Sequence, residues 1–318
     1  MATPDDFVPV AVTSRSGVDE SVHFGAVVCL GPTGAIEFAA GNPHALVYPR
    51  SSTKPMQALA MVRNGLDLPA ELLALVCASH DGTPKHTEAV RHILGSAGLD
   101  EAALLNTASM PLDAASEREL IRAGVAPSPI TMNCSGKHSG MLATCVHQRW
   151  SLTDYLQQEH PLQLAITDTV DDVAGERHAH IGTDGCGAPA HMMSMLGLAR
   201  SFAAIASGRA GAAGDRIYAA MTSHPQMVGG ERRDVTQLMR IIPGLMAKDG
   251  ADGVFAGAFP DGRAVAVKIA DGGDRARPPV MLAALTALDI DVDAAAALVQ
   301  APILGHGKPV GEVRAVLR

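Results

Sequence analysis

Aromatic side chains are scarce in this chain, at 3% of 318 residues. A core of that size cannot rest on rings, so Ala, Val, Leu, Ile and Met must fill it, and 32 glycines point to many close backbone approaches. There is no run of Lys or Arg to track a phosphate backbone, and the formal net charge is −8, which argues against a nucleic-acid partner. No apolar run reaches the length of a membrane span, which argues against a membrane partner. The first six residues have neither a basic n-region nor an apolar h-region, so no secretory signal is expected. Cysteines are few, odd in number and scattered (Cys29, Cys77, Cys134, Cys145, Cys186). That pattern excludes a disulfide framework, points to reduced thiols in a cytoplasmic setting, and leaves open metal ligation by two of them.

The periodicity changes twice along the chain. Residues 7 to 13, 21 to 30 and 35 to 40 are short apolar or β-branched segments, separated by Arg15-Ser16-Gly17 and Gly31-Pro32-Thr33-Gly34, and predict an antiparallel meander. From 51 to about 245 the pattern is helical. Helices are expected from Ser51 to Asn64, Leu68 to Ala78, Thr83 past Leu94, Ser116 to Arg122, Gly140 to Arg149, Thr153 to His160, Leu162 to Val173, Ala188 to Ala206, Ala212 to Ser223 and Val235 to Ile242. The small-residue stretch Ala203 to Gly214 is expected to be the weakest-held. Strands return at Gly253 to Phe259 and Ala264 to Ile269, flanking an Asp-Gly turn, then helices at Pro279 to Leu288 and Val292 to Val299, and a last strand at Gly311 to Leu317. Neither strand-rich end (7–49 and 253–318) can bury a face alone. The expectation is one α+β domain over 1–318, with an antiparallel sheet built from both chain ends and a large helical region closing a cleft.

Five stretches carry side chains suited to chemistry. In Arg50-Ser51-Ser52-Thr53-Lys54-Pro55-Met56-Gln57, Ser51 stands one helical turn before Lys54, so the two share a face at a helix start, where unpaired N–H groups favour negative charge. A desolvated lysine can act as base to such a serine; the ordinary alternative is a capping serine beside a solvated charge. Ser79, in Cys77-Ala78-Ser79-His80-Asp81-Gly82, ends an apolar helix and equally suits a C-terminal turn. Asn133-Cys134-Ser135-Gly136-Lys137-His138 and Asp184-Gly185-Cys186-Gly187 are tight polar loops. Cys134, Cys186 and a nitrogen from Lys137 or His138 would suit tetrahedral zinc, with His138 the default because a lysine must first lose its proton. Lys268, closing a strand before Ala270-Asp271-Gly272, is either a second catalytic lysine or an edge-strand guard.

Taken together and in order, these five blocks closely resemble the L-asparaginase II family of the rhizobial type, which is unrelated to the threonine-based asparaginases. The resemblance runs from about Val8 to Gly311-Glu312-Val313-Arg314. It implies a fold like the serine β-lactamases and penicillin-binding proteins, a homodimer, and hydrolysis of L-asparagine to L-aspartate and ammonia. It also implies two Ser-Lys pairs, which carry over to Ser51 with Lys54 and Ser79 with Lys268. It implies zinc (Zn2+) held by Cys134, Lys137 and Cys186, with Lys137 in place of His138 as the nitrogen ligand. Arg50, His138 and Asp184 then become candidates for contacts to the substrate's polar ends. On that reading Ser51 attacks the amide carbon, Lys54 is its base, and Ser79 and Lys268 relay protons. Zinc would orient substrate, since thiolate ligands leave it a poor Lewis acid. The alternatives are a related glutaminase, a lactam or other amide hydrolase, and a non-catalytic zinc or amino-acid-binding protein of the same fold.

Overall fold

The computed structural model describes residues 2–296 and 302–317. The expected meander is present as β1 (Val8–Arg15), β2 (Val18–Leu30) and β3 (Ile36–Ala40). A short β4 (Leu46–Val47) pairs with β6 (Pro189–Ser194), which also pairs with β5 (His180–Thr183), in a separate three-stranded sheet. The returning chain supplies β7 (Met246–Gly250), β8 (Val254–Ala258), β9 (Ala264–Ile269), β10 (Pro302–Gly305) and β11 (Lys308–Ala315).

The main sheet runs β10-β11-β1-β2-β9-β8-β7, with β3 also on β2. Both chain ends meet in it, because Ala11 lies opposite Ala315 and the run Gly25 to Leu30 lies opposite Ile269 to Ala264. Where β2 passes between β1 and β9, only glycine fits. A Cβ on Gly25 would stand 2.5 Å from the Lys268 carbonyl oxygen and 2.9 Å from Val10 Cγ2. The architecture is thus α+β, an antiparallel sheet from both ends with a large helical region.

The helices are α1 (Lys54–Arg63), α2 (Ala70–Val76), α3 (Pro84–Ser96), α4 (Ala114–Arg122), α5 (Ser135–Gln148), α6 (Pro161–Ala174), α7 (Met195–Ala206), α8 (Gly211–Ser223), α9 (Pro225–Val228), α10 (Asp234–Ile241), α11 (Arg277–Thr286) and α12 (Asp293–Ala296). Strands β8 and β9 are buried at nearly every position, which requires cover on both faces, and α7 and α11 both pack on them. Among the described residues no helix is long and apolar enough to cross a membrane.

Several segments depart from the periodic reading. Residues 153–160 form turns, not a helix: Gln157 N–H donates to Asp154 O at 2.8 Å and His160 N–H to Gln157 O at 3.0 Å. His160 then caps α6, its Nδ1 accepting from Leu162 N–H at 3.1 Å, and Pro161 takes the first helical position. Residues 189–194 are strand β6, because Ser194 caps α7 and so starts that helix later than its apolar run suggests. The small-residue stretch is helical to Ala206 and again from Gly211. Helix α5 starts at Ser135, ahead of the expected Gly140. Gly136 and Gly140 let it lie close on α2, where a Cβ would meet Leu75 O at 2.4 Å and Val76 Cγ1 at 2.8 Å. Of the helix expected over Val292 to Val299, Asp293–Ala296 is observed and 297–299 lie outside the described residues. Strands β5, β7 and β10 have no counterpart in the sequence reading.

Candidate active site

Ser51 sits on a 3-10 turn, Arg50–Thr53, that runs directly into α1. The turn is pinned to β7. Ser52 Oγ donates to Lys248 O at 3.1 Å, and a Cβ on Gly250 would lie 2.4 Å from Pro49 O, so β7 reaches the turn only because residue 250 is glycine. Lys54 opens α1 and is 1% exposed. Its Nζ donates to Ala78 O at 2.6 Å and to Ser79 Oγ at 3.0 Å, so the structure brings Lys54 to Ser79. The segment carrying Ser79 is held as an extended strap by Ser79 N–H to Val228 O (3.0 Å), His80 N–H to Asn133 O (3.1 Å) and Asp81 N–H to Gly229 O (2.7 Å). Ser51 and Ser79 line one cavity of about 460 Å³, together with Asn133, Arg233, Asp249 and Arg277.

The structure does not bring Lys268 to Ser79. Its Nζ donates to Asp252 O and Ile269 O, both at 2.6 Å, on β9 in the middle of the sheet, so the expected Ser79–Lys268 pair is not formed. The lysine beside the Ser51 turn is Lys248 on β7, whose carbonyl oxygen accepts from Ser52 Oγ and which the sequence reading passed over. It is fully buried, and its Nζ donates to the backbone oxygen and side chain of Asp249. Burial and the nearby Lys54 ammonium push Lys248 down to about 8, against the pull of Asp249. The signal was present in Lys248-Asp249-Gly250: a strand lysine two residues before glycine is the third motif of the Ser-x-x-Lys hydrolases. Cys77, at the end of α2, feels both ammonium groups, yet burial pushes its thiol up to about 12.

Asp249 is the hub of the cavity's charges. Burial works to raise its pKa, but Lys248, Arg233 and Arg277 outweigh that and hold it below the usual carboxylate range. Arg233 spans two carboxylates, with NH2 on Asp249 and NH1 on Asp81 Oδ1 at 3.3 Å. Arg277 donates to Gly250 O and Asp234 Oδ2, each at 3.1 Å.

Arg50 and Asp184 are brought together, Nε to Oδ1 at 2.8 Å, and Arg50 NH1 also pairs with Asp252. Arg50 has φ +54°, a left-handed conformation that strains a residue with a side chain, and the two carboxylates hold it there. His138 is fully buried. Its Nδ1 hydrogen-bonds Tyr155 OH at 2.9 Å, and its Nε2, beside Cys186, has no hydrogen-bond partner by distance and angle among the described residues. His80 is neutral, since burial lowers its pKa well below the usual value. Gly82 N–H donates to its Nδ1, leaving Nε2–H for Ser135 Oγ at 2.9 Å and fixing the start of α5.

Cys134, Lys137 and Cys186 converge next to Asn133. Lys137 Nζ lies 3.1 Å from Cys186 Sγ, and Cys134 and Cys186 pack together with Ala188. The neighbouring Cys134 sulfur, Lys137 and His138 push Cys186 below the ordinary thiol range, while the Cys134 thiol donates to Asn133 Oδ1 at 3.0 Å. Among the described residues no cluster of three or more His, Cys, Asp or Glu side chains could hold a metal ion. The two sulfurs with the Lys137 amine are nonetheless donors of the kind that suit zinc.

A sequence profile described as L-asparaginase II matches residues 11–315. The chain belongs to the L-asparaginase II family. Its members are hydrolases, and the chain is a hydrolytic enzyme of that family. No curated protein sequence matches the chain with significance. Solved structures that it is similar to include a β-lactamase from Mycobacterium bovis, with 16% identity and a TM-score of 0.39 over 82% of this chain and 94% of that one. Others are Mglu in its native form in the presence of NaCl (15%, TM-score 0.37, 83% of this chain and 60% of that one) and Mglu in its glutamate form (15%, 0.37, 86% and 61%).

Proposed function

We propose that this member of the family hydrolyses the side-chain carboxamide of a small amino acid through an acyl-enzyme on Ser51. The observation that carries the reading is the fully buried Lys54 with its Nζ on Ser79 Oγ, a serine that lines the same cavity as Ser51. Ser51 is the half-exposed serine, whereas Ser79 is buried and engaged with Lys54, so substrate meets Ser51 first. Ser51 Oγ attacks the amide carbon and its proton passes to Lys54, one turn on. The tetrahedral adduct collapses, the C–N bond breaks, and the nitrogen leaves as ammonia with the proton returned by Lys54 through Ser79. Water then cleaves the Ser51 ester by the same route in reverse. Lys248 takes the part first assigned to Lys268, relaying protons with Ser79.

Zinc, held by Cys134, Lys137 and Cys186 with His138 Nε2 beside them, would supply a positive charge to orient substrate next to Asn133. Arg50 and Asp184 hold the turn before Ser51 against the Cys186 loop.

L-Asparagine and L-glutamine share the carboxamide and differ by one methylene, a difference worth about 1–3 kcal/mol in a fitted pocket. Ammonia release from asparagine, glutamine and a lactam panel, with and without chelator, separates these substrates. A chain that binds asparagine and releases no ammonia from any of them would be a sensor, and the hydrolytic reading would fail.

A further inference from the structure

We infer that Arg233 and Asp249 are a positioning pair for Lys248: the Asp249 carboxylate fixes the ammonium beside Lys54, and Arg233 limits how much negative charge that carboxylate offers. The inference rests on the proposed Ser-Lys reaction and names the residues that keep its second lysine usable.

The geometry divides one carboxylate between two cations. Asp249 Oδ1 accepts from Lys248 Nζ, while Oδ2 accepts from Arg233 NH2, with Arg277 NH2 at 3.9 Å. The Lys248 side chain is fully enclosed, and Asp249 is 3% exposed, so little solvent screens this arrangement. A buried lysine with a whole carboxylate to itself would be an ordinary ion pair, charged and inert toward protons. By drawing Oδ2 away, Arg233 prevents that. Arg233 is itself anchored at its other end by Asp81, on the strap that carries Ser79, so its position is tied to the serine that Lys54 holds.

The charged and titratable groups around Lys248 come from every side. Lys54 faces it from α1 and Cys77 from the end of α2, Arg233 precedes α10, and Asp249 is its neighbour on β7. Arg277 of α11 acts on it through Asp249, as Asp81 and Asp234 act through the two arginines. Asp249 is the carboxylate bonded directly to its ammonium. The burial that lowers Lys248 and the opposing pull of Asp249 agree with this division of charge.

The test uses opposite signs. Arg233→Gln removes a cation and releases Asp249 to Lys248, so Lys248 should hold its proton more tightly. Asp249→Asn removes the counter-charge, so Lys248 should lose its proton more easily. With 15N-lysine in the full chain there are six lysines, and the Lys248 signal is assigned by its loss in Lys248→Met. Its midpoint should move up in Arg233→Gln and down in Asp249→Asn, each by about one pH unit, a tenfold change in proton affinity. The acid limb of kcat/KM for ammonia release should follow in the same two directions, and Arg233→Lys, which keeps the charge, should restore it. Arg233→Met serves in place of the glutamine variant if thermal melts show the latter unfolded. Midpoints that move the same way, or stay still while kcat falls, overturn the pair. Opposite midpoints with an unmoved acid limb overturn its part in the reaction. A wild-type chain that releases no ammonia sinks the proposed reaction, while the lysine titration still judges the pair.

Discussion

Lys54 Nζ bonds Ser79 Oγ at 3.0 Å and Ala78 O at 2.6 Å, so the lysine that begins α1 is fastened to the strap that follows α2. Two helix ends are joined by a single lysine side chain. Each of its partners therefore bears on turnover in a different way.

Ser51→Ala should reduce ammonia release by roughly a thousandfold or more, the scale seen when an acyl-enzyme nucleophile is removed. Calorimetry should still find substrate binding, because the cavity walls are unchanged. Turnover within tenfold of the parent would remove Ser51 from the mechanism.

Lys248→Met and Lys268→Met separate the lysine found by structure from the one expected from sequence. The first should cost about 10²–10⁴ in kcat, as for loss of a general acid–base group. The second loses hydrogen bonds to Asp252 O and Ile269 O and should mainly lower the melting temperature. The reverse ranking would restore Lys268 to the reaction centre.

The depressed Lys248 also predicts a pH effect on stability. Its folded value is about 8, below the 10.5 of a free lysine, so between these values the unfolded chain binds the extra proton. Stability therefore rises with pH across that window, the sign for a group whose folded pKa is lowered and whose charged form is disfavoured by folding. Denaturant melts of wild type and Lys248→Met, compared from pH 7.5 to 10.5, should differ in slope, with the rise missing from the variant. Parallel curves would mean that Lys248 is not held at a lowered value.

Cys186→Ser should abolish zinc retention through gel filtration, measured by elemental analysis, and Cys134→Ser should do the same. His138→Ala should weaken retention less, since Lys137 Nζ is the nitrogen seen at Cys186 Sγ. Full retention in Cys186→Ser would exclude this cluster as the metal site.

Gly250→Ala would place a Cβ 2.4 Å from Pro49 O and 2.9 Å from Ser52 Oγ. The expected cost is about 1–3 kcal/mol of stability, typical of overpacking, with a larger fall in kcat than in binding because the Ser51 turn must shift. An unchanged kcat would show that β7 does not set that turn.

Much of this was legible in sequence because it sits at element ends. The Ser51–Lys54 spacing, the turn after Val76, and the loops around Cys134 and Cys186 are local patterns, and their glycines mark close approaches. The two-ended sheet was legible from alternation at 7–40 and 253–269. The second lysine was not. Lys248 and Lys268 each stand on a strand shortly before glycine, and only strand order tells that β7 borders the Ser51 turn while β9 lies mid-sheet. Arg233 and Asp249 stand in no local pattern that marks them, and only folding buries Asp249 and brings the arginine to it. The strands β5 and β6 were hidden by small residues that suit either period.

The bond from Ser52 Oγ to Lys248 O joins positions 196 residues apart. A contact of that span closes late, after local helices have formed, because the loop entropy between its ends must be overcome first. On refolding, helical signal should therefore recover before the first ammonia is released, and a nascent chain that has not yet supplied β7 will contain both serines and Lys54 but no working centre.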